Sequence, residues 1–215
     1  MRQLFFDLDG TLIDPRAGFV ASLSHALREL SVPVPPADAL ARYIGPPLEH
    51  TLRELLGPGG DVRRAVALYD ERYAAQGIFE SAVYPGVAAG LAELTSAGFT
   101  IRVLTSKRHD FALEVVAHHG LSSWVSEVRG FETSGSISDK ASLLKSALEA
   151  AALAPGDCWM IGDRSFDVLA ARENGVRAIG VAWGYGSRSE LEQAGAEVVV
   201  GDMAELMRVL AASGC

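Results

Sequence analysis

Short apolar runs that alternate with helical patterns constrain the fold of this chain more than any other feature of its sequence. Five runs have the composition of buried strands, at residues 4–6, 101–104, 158–161, 178–181 and 198–200. Helical patterns over residues 86–97, 110–119 and 165–174 each stop at a glycine, which favours the end of a helix. The alternation predicts an α/β fold with a doubly wound, parallel, Rossmann-like sheet.

Polar residues follow three of the predicted strands. They are Asp7 and Asp9 after the first strand, Thr105 and Ser106 after the second, and Gly162 and Asp163 after the third. Ligands of a doubly wound sheet bind beyond the carboxyl ends of its strands. We therefore expect these three segments to meet in one site at that edge of the sheet.

Residues 15–81 show a different pattern. Apolar residues recur there at helical spacing, without a convincing strand. The turn-forming pairs Asp14-Pro15 and Pro85-Gly86 lie near the two ends of this segment. We expect a small α-helical domain at residues 15–81, inserted after the first strand, and an α/β core domain made of residues 1–14 and 82–215.

Charge and composition narrow the possible partners. The 215 residues carry a formal net charge of −8 without a block of lysine and arginine, which argues against binding of duplex nucleic acid. No segment approaches the roughly 18 uncharged apolar residues of a membrane span, and no export signal is recognised, so no membrane partner is expected. The two cysteines, Cys158 and Cys215, form no spaced framework, which favours a reducing cytoplasm.

The acidic pair Asp7 and Asp9 is the first candidate for catalysis. Two carboxylates two residues apart follow a predicted strand, and Gly10 allows the chain to turn sharply after them. Such a pair can bind a hard cation while one acid attacks a substrate and the other moves protons. On spacing alone, a turn whose aspartates merely cap the next helix has about equal weight.

Four short motifs with polar residues lie along the predicted core. They are DLDGTLID at residues 7–14, VLTSK at residues 103–107, Asp139-Lys140-Ala141, and IGDRSFD at residues 161–167. In this order they resemble the first to fourth motifs of the haloacid dehalogenase superfamily of phosphotransferases, in which the third motif supplies a basic residue. The motifs span nearly the whole predicted core.

The segment 15–81 resembles the helical cap of the phosphoglycolate phosphatase-like and 5′-nucleotidase-like branch of that superfamily. Within it, residues 44–48, IGPPL, resemble the cap loop that faces the active site. The run Gly184-Tyr185-Gly186-Ser187 late in the chain supports the same branch. Whether this run contacts substrate is left open.

The resemblance implies that Asp7 is the nucleophile and becomes an aspartyl-phosphate. It implies Mg²⁺ as the cofactor, held by the carboxylates of Asp7 and Asp163 and by the carbonyl of Asp9. The Asp9 carboxyl would protonate the leaving oxygen and then activate water. Asp167 would not bind the metal itself but would orient metal-bound water or Lys140. For Asp163 and Asp167, a charge pair that merely favours a helix N-terminus is the alternative.

Phosphate contacts are implied for Gly10, Thr105, Ser106 and Lys140. The hydroxyl and backbone N–H groups would donate hydrogen bonds to phosphoryl oxygens, and Lys140 would supply a fixed positive charge. For Thr105 and Ser106, a helix cap is the alternative. Many relatives have proline after this lysine, whereas the chain has alanine, so Lys145 stays a minor competitor.

Substrate preference is expected to depend on Gly45, Leu48, His50 and Arg53 in the cap. His50 and Arg53 lie one helical turn apart and could bind an anionic group of a substrate, although a solvated helix face is the alternative. The cap contains no lysine. Phosphonate-cleaving relatives form a Schiff base on a cap lysine, so the resemblance disfavours cleavage of carbon–phosphorus bonds here.

The predicted function is Mg²⁺-dependent hydrolysis of a small phosphomonoester, either a phosphoglycolate-like acid or a 5′-nucleotide. Two alternatives stay open. One is a phosphosugar mutase of the same superfamily, and the other is a protein that binds a phosphate ligand without turnover. The substrate is expected to be a small molecule, the location cytoplasmic, and the protein a monomer or a homodimer.

Overall fold

The computed structural model of the protein describes residues 2–132 and 139–212. Its strands are β1 (Gln3–Phe6), β2 (Ile13–Asp14), β3 (Ala82–Val83), β4 (Thr100–Arg108), β5 (Val125–Phe131), β6 (Cys158–Gly162), β7 (Arg177–Val181) and β8 (Val198–Val200). Its α-helices are α1 (Arg16–Glu29), α2 (Ala37–Ala41), α3 (Leu48–Leu56), α4 (Val62–Ala75), α5 (Val87–Ser96), α6 (His109–His118), α7 (Lys140–Ala150), α8 (Ser165–Glu173), α9 (Arg188–Ala194) and α10 (Met203–Ala212).

Six parallel strands form the central sheet in the order β5-β4-β1-β6-β7-β8. Leu4 and Phe6 of β1 are buried on one face, in a core that includes residues of α5, α6 and α10. Phe5 is buried on the opposite face, among residues of α7, α8 and α9. Helices therefore cover both faces of a parallel sheet, which confirms the predicted doubly wound α/β fold.

The order of the strands sets the position of the site. β1 lies at the centre of the sheet, between β4 and β6. Because these three strands run in the same direction, the segments that leave their carboxyl ends emerge side by side. This arrangement confirms that the three polar segments singled out in the sequence share one edge.

The glycines that follow the predicted helices end them as expected. Gly98, Gly120 and Gly175 all have positive φ angles, between 67° and 87°, and each lies within two residues of a helix end. This left-handed conformation is the usual one for a glycine that closes a helix.

Two features of the sheet differ from the prediction. The strand β5 was not predicted, because it lies at the edge of the sheet and most of its residues are only half-buried, without a continuous apolar run. The strand β4 continues to Arg108, so Thr105 and Ser106 lie within it rather than after it. Its pairing with β5 shifts register between Leu104 and Arg108. Because polar residues follow Leu104, the sequence did not indicate that the strand continues to Arg108.

A helical segment connects two short strands. The helices α1 to α4 lie between β2 and β3, which pair antiparallel, Ile13 with Val83 and Asp14 with Ala82. Residues 16–79, all of which the structure describes, contain no strand. This two-stranded ribbon lies where the sequence predicted the chain to pass between two domains. The division into a core domain and a cap domain stays a prediction.

Two further predictions concern membrane-spanning helices and the cysteines. Over residues 2–132 and 139–212, no helix has the length and apolar character needed to cross a membrane. Cys158 is buried and carries a free thiol. The second cysteine, Cys215, lies outside the described residues.

The contact between α10 and the rest of the core can be tested by removing a buried side chain. Leu206 of α10 is fully buried, and α10 packs against α5. We expect Leu206→Ala to lower the free energy of unfolding by about 2–5 kcal/mol, because it leaves a cavity. Leu113→Ala on α6 is the control, since Leu113 is 45% exposed. Equal losses in urea unfolding of the two variants would contradict this packing.

Candidate active site

The chain turns sharply where β1 ends, and Gly10 makes the turn possible. The Asp7 N–H donates to Ile161 O at 2.9 Å, and the Gly10 N–H donates to Ile13 O at 2.8 Å. Gly10 has a φ of +89°, and a Cβ atom there would lie 2.3 Å from Oδ2 of Asp163. Glycine at this position therefore lets Asp163 approach the turn.

Three buried carboxylates lie together beyond β1 and β6. Asp7, Asp163 and Asp167 each offer an oxygen, and these oxygens lie within 4.8 Å of one another. Asp163 accepts hydrogen bonds from the Thr11 hydroxyl at 3.2 Å and from the Tyr185 N–H at 2.8 Å. Burial, with the charges of Asp7 and Asp167, raises the pKa of Asp163 to about 8. The cluster is therefore short of positive charge.

Lys140 supplies a positive charge to this cluster. Its Nζ lies 2.8 Å from Oδ1 of Asp7 and also donates to Asp167. Burial alone would lower the pKa of Lys140, but the charges of Asp167 and Asp7 outweigh it and raise that pKa. Lys145 is exposed and does not line the cavity described below. Of the two lysines, the structure brings Lys140 to the candidate nucleophile.

The start of α7 fixes where Lys140 lies. The Asp139 side chain accepts a hydrogen bond from the Ser142 N–H at 2.7 Å, which caps the helix. Lys140 is the first residue of that helix, and its side chain is only 6% exposed. The capping interaction of Asp139 therefore fixes the start of α7 and, with it, the position of Lys140.

Asp167 uses both of its carboxylate oxygens. One accepts from Lys140, and the other accepts from the Arg164 N–H at 3.0 Å in the first turn of α8. Burial raises the pKa of Asp167 to about 6, although Lys140 opposes that shift. Asp167 therefore holds the start of α8 and also orients Lys140. Its predicted part in orienting metal-bound water stays a prediction.

Asp9 contacts a lysine that sequence reasoning did not select as a site residue. Oδ2 of Asp9 lies 2.7 Å from Nζ of Lys107. Burial raises the pKa of Asp9, and the Lys107 charge opposes this. Two signals could have pointed to Lys107: it directly follows the Thr105-Ser106 pair, and it is one of only three lysines in the chain.

Thr105 and Ser106 both face the cavity. The Thr105 hydroxyl accepts a hydrogen bond from the Lys107 N–H at 3.2 Å. The helix α6 begins only after Arg108 and has no side-chain cap. The alternative that Thr105 or Ser106 caps that helix is therefore wrong. Their predicted phosphate contacts stay predictions.

A cavity of about 780 Å³ joins the sheet edge to the helical segment. Its polar lining includes Asp7, Asp9, Thr105, Ser106, Lys107 and Lys140 from the core. The cap candidates Gly45, Leu48, His50 and Arg53 all line it too, and the side chains of His50 and Arg53 are exposed. Gly10, Asp163 and Asp167 are not among the lining residues. The structure therefore gathers the candidates around one space, with the carboxylate cluster at its base.

The predicted cap loop contacts the fourth motif through Arg164. The Arg164 guanidinium donates to the Ile44 carbonyl and, through Nε, to Glu190 at 3.0 Å. A Cβ atom at Gly45 would lie 2.9 Å from Cγ of Arg164. Nothing in the sequence indicated this contact, because the two partners are 120 residues apart.

The run of residues 184–187 supports Asp163 instead of lining the cavity. The Tyr185 N–H is one of the hydrogen-bond donors to Asp163. A Cβ atom at Gly184 would lie 2.3 Å from the Gly10 carbonyl oxygen. The Ser187 side chain caps α9 by accepting from the Glu190 N–H at 3.0 Å. Residues 184–187 therefore pack against the carboxylate cluster outside the cavity.

Comparison with known proteins finds a matching family profile and several similar sequences. A sequence profile described as haloacid dehalogenase-like hydrolase matches residues 4–181. The chain is 37% identical over 209 residues to a 5′-nucleotidase of Pseudomonas aeruginosa, covering 97% of this chain and 95% of that protein. It is 35% identical over 196 residues to the tyrosine-protein kinase PtkA of Mycobacterium tuberculosis, covering 91% of this chain and 67% of that protein.

One further relative and one solved structure are also similar to the chain. The chain is 26% identical to a phosphoglycolate phosphatase of Vibrio parahaemolyticus, over 99% of this chain and 97% of that protein. A crystal structure of a predicted phosphatase from Clostridium acetobutylicum superposes with a TM-score of 0.94 at 32% identity, covering 98% of both chains.

The crowding of the three carboxylates can be tested by measuring thermal stability in the absence of metal ions. We expect Asp163→Asn to raise the melting temperature in EDTA at pH 8 by about 3 °C or more, since about 1 kcal/mol corresponds to 2–4 °C in a chain of this size. The asparagine oxygen can accept from the Tyr185 N–H while its amide group donates to the Thr11 hydroxyl oxygen, and the substitution removes one of three crowded charges. We also expect MgCl₂ to raise the melting temperature of the wild type but not of this variant.

Asp157→Asn is the matched control, because Asp157 is exposed and lies outside the cluster. It should respond to MgCl₂ as the wild type does. A lower melting temperature of Asp163→Asn in EDTA, or an undiminished response to MgCl₂, would contradict the assignment of this cluster as a cation site.

Proposed function

The chain belongs to the haloacid dehalogenase-like hydrolase family and is a phosphomonoester hydrolase of that family, and on this premise we propose that it hydrolyses 5′-mononucleotides through an aspartyl-phosphate on Asp7, with Mg²⁺ as cofactor. One observation carries the proposal. The Asp7 carboxylate is buried at the base of a large cavity, and its Oδ1 pairs with the ammonium group of Lys140 at 2.8 Å. A carboxylate held in this way is available to a phosphorus atom.

The residues present fit Mg²⁺. The candidate ligands are all oxygen atoms, which Mg²⁺ prefers, and three carboxylates crowd around one point. The carboxylates of Asp7 and Asp163, with the Asp9 carbonyl, would hold the ion, while Asp167 stays engaged with Lys140 and Arg164. When bound, Mg²⁺ neutralises phosphate charge and polarises a phosphoryl oxygen.

In the first half of the reaction, an Asp7 oxygen attacks phosphorus and the bond from phosphorus to the ester oxygen breaks. Asp9 gives a proton to the departing alcohol oxygen. A phosphomonoester carries nearly two negative charges, so attack by a carboxylate needs positive charge close by. Lys140 supplies one such charge at 2.8 Å from Asp7. Hydrogen-bond donors of Thr105 and Ser106 face the same space.

In the second half, water attacks the phosphorus of the aspartyl-phosphate and the bond to the Asp7 oxygen breaks. The Asp9 carboxylate takes a proton from that water, so inorganic phosphate leaves and both aspartates return to their starting states. The cavity walls limit the access of bulk water while the first transfer takes place. One acidic side chain thus serves as acid and then as base.

The cavity favours a leaving group larger than glycolate. A volume of about 780 Å³ lies within the range of about 300–1,000 Å³ that is typical of sites for drug-sized ligands. Its lining includes the aromatic ring of Phe166, which is 41% exposed and can stack on a planar base. The similarity to a protein named 5′-nucleotidase supports the same choice.

The remaining expectations follow from the sequence. A small phosphomonoester is the partner that this reaction requires, and the net charge of −8 disfavours duplex nucleic acid as a substrate. The cytoplasmic location and the monomeric or homodimeric state stay predictions.

The proposed reaction is tested by phosphate release from a panel of 5′-mononucleotides, 2-phosphoglycolate and sugar phosphates, with MgCl₂ and with EDTA. We expect release that requires MgCl₂, with the highest kcat/KM for a 5′-mononucleotide, and at least a 1,000-fold loss in Asp7→Asn, as expected on removing a nucleophile. Lys145→Met is the control, since Lys145 is exposed and outside the cavity.

Other outcomes would point to the alternatives. Isomerised sugar phosphate with little free phosphate would indicate a mutase. Ligand binding without turnover on any substrate would indicate a binding protein. Higher activity on 2-phosphoglycolate than on every nucleotide would contradict the proposed substrate class while leaving the phosphatase mechanism intact.

Filling the cavity should separate large from small substrates. Leu48 lines the cavity from the first turn of α3. We expect Leu48→Trp to lower kcat/KM for the best 5′-mononucleotide by about tenfold or more, which corresponds to about 1.4 kcal/mol, and to change that for p-nitrophenyl phosphate less than threefold. Equal losses on both substrates would contradict a role of Leu48 in substrate preference.

A further inference from the structure

A single ammonium group connects the helical segment to the candidate acid. Lys107 Nζ lies 2.7 Å from Oδ2 of Asp9 and donates a hydrogen bond to the Tyr73 hydroxyl oxygen, also at 2.7 Å. The same Nζ lies 4.5 Å from the centroid of the Tyr73 ring. Lys107 comes from β4 of the sheet, whereas Tyr73 comes from α4 of the helical segment.

The two oxygens of Asp9 have different surroundings. Oδ2 is held by Lys107, while Oδ1 is buried and makes no hydrogen bond among the described residues. Asp9 also lines the cavity. Because a buried carboxyl oxygen without a partner is costly, Oδ1 is the oxygen placed to meet a polar atom of a substrate.

Tyr73 cannot move independently of its neighbours. Its side chain is 1% exposed and stacks on Tyr69, with ring centroids 5.4 Å apart, and it also contacts Phe111 of α6 at 5.2 Å. The pair Arg108–Asp70 ties the same stretch of α4 to the end of β4. The position of the Lys107 ammonium therefore depends on how the helical segment packs on the core.

We propose that Tyr73 and Lys107 are positioning residues through which the helical segment holds Asp9 in the orientation that protonates the leaving oxygen. This inference rests on the proposed phosphatase reaction. Lys107 fixes one oxygen of Asp9 and leaves the other directed at the ester oxygen, and Tyr73 holds Lys107 from the opposite side. Neither residue needs to contact the phosphoryl group.

The proposal makes the effect of these residues depend on the leaving group. An alcohol must receive a proton as its bond to phosphorus breaks, whereas p-nitrophenolate leaves as a stable anion. Damage to the orientation of Asp9 should therefore slow the release of an alcohol much more than the release of p-nitrophenolate. A general distortion of the site would slow both alike.

The test compares kcat/KM for the best alkyl phosphate of the panel with kcat/KM for p-nitrophenyl phosphate, at saturating MgCl₂. For each substrate, kcat/KM reports the steps up to departure of the leaving group, before the aspartyl-phosphate is hydrolysed. The variants are Tyr73→Phe, Lys107→Met and Lys107→Arg, with Asp9→Asn as the limit. The control is Tyr43→Phe, which removes another hydroxyl of the helical segment, bonded to Glu54 at 2.6 Å and outside the cavity.

We expect Tyr73→Phe to lower kcat/KM for the alkyl phosphate by about tenfold, the size of one lost hydrogen bond from a charged donor, and that for p-nitrophenyl phosphate less than threefold. For Asp9→Asn we expect kcat/KM to fall by about 10²–10⁴-fold on the alkyl phosphate alone, and Lys107→Met should approach that loss. Lys107→Arg should recover part of that loss, and Tyr43→Phe should match the wild type.

Equal losses on the two substrates, or wild-type activity in Tyr73→Phe, would overturn the proposal while leaving the phosphatase assignment in place. If Lys107→Met fails to fold, as a melting curve would show, the leaving-group effect in Tyr73→Phe decides the question. A wild type that releases phosphate from neither substrate would overturn the proposed reaction and this inference with it.

Discussion

The structure depends on the crowding of three buried carboxylates at the carboxyl edge of the sheet, with a positive charge supplied to them by Lys140. Burial is the main cause of the raised pKa values of Asp163 and Asp167, and the nearby charge of Asp7 adds to both shifts. Much of the surrounding structure serves this arrangement. Gly10 leaves room for Asp163, Asp139 caps the helix that carries Lys140, and the run of residues 184–187 packs against the cluster. We propose that this concentration of negative charge favours the uptake of a cation.

Most of the fold and much of this cluster could be predicted because their signals are local. The buried strands β1, β6, β7 and β8 are short apolar runs, and Asp7, Asp9 and Asp163 follow such runs directly. By contrast, β5 lies at the sheet edge with half-buried residues, and the polar end of β4 resembles a loop in sequence. Those elements are defined by their neighbours in space, which a single sequence does not reveal.

The contacts between the helical segment and the core were not predicted for the same reason. Arg164 with Ile44, Arg108 with Asp70, and Lys107 with Tyr73 each join residues far apart in the chain. The periodicity of α4 indicated only that Tyr73 lies on a packed helix face. The structure adds that its hydroxyl reaches the partner of Asp9, so that the helical segment contributes to the arrangement of the acid as well as to the cavity wall. On the proposed mechanism, the contacts that enclose the substrate would also position the acid.

We propose that Asp7 carries the phosphoryl group during turnover. To test this, the enzyme is quenched in acid while it turns over a 5′-mononucleotide with MgCl₂, and the mass of the peptide that contains Asp7 is then measured. We expect a peptide heavier by one phosphoryl group, with the modification on Asp7 and absent from Asp7→Asn. Rapid phosphate release with an unmodified Asp7 peptide, or with the phosphoryl group on another residue, would contradict it.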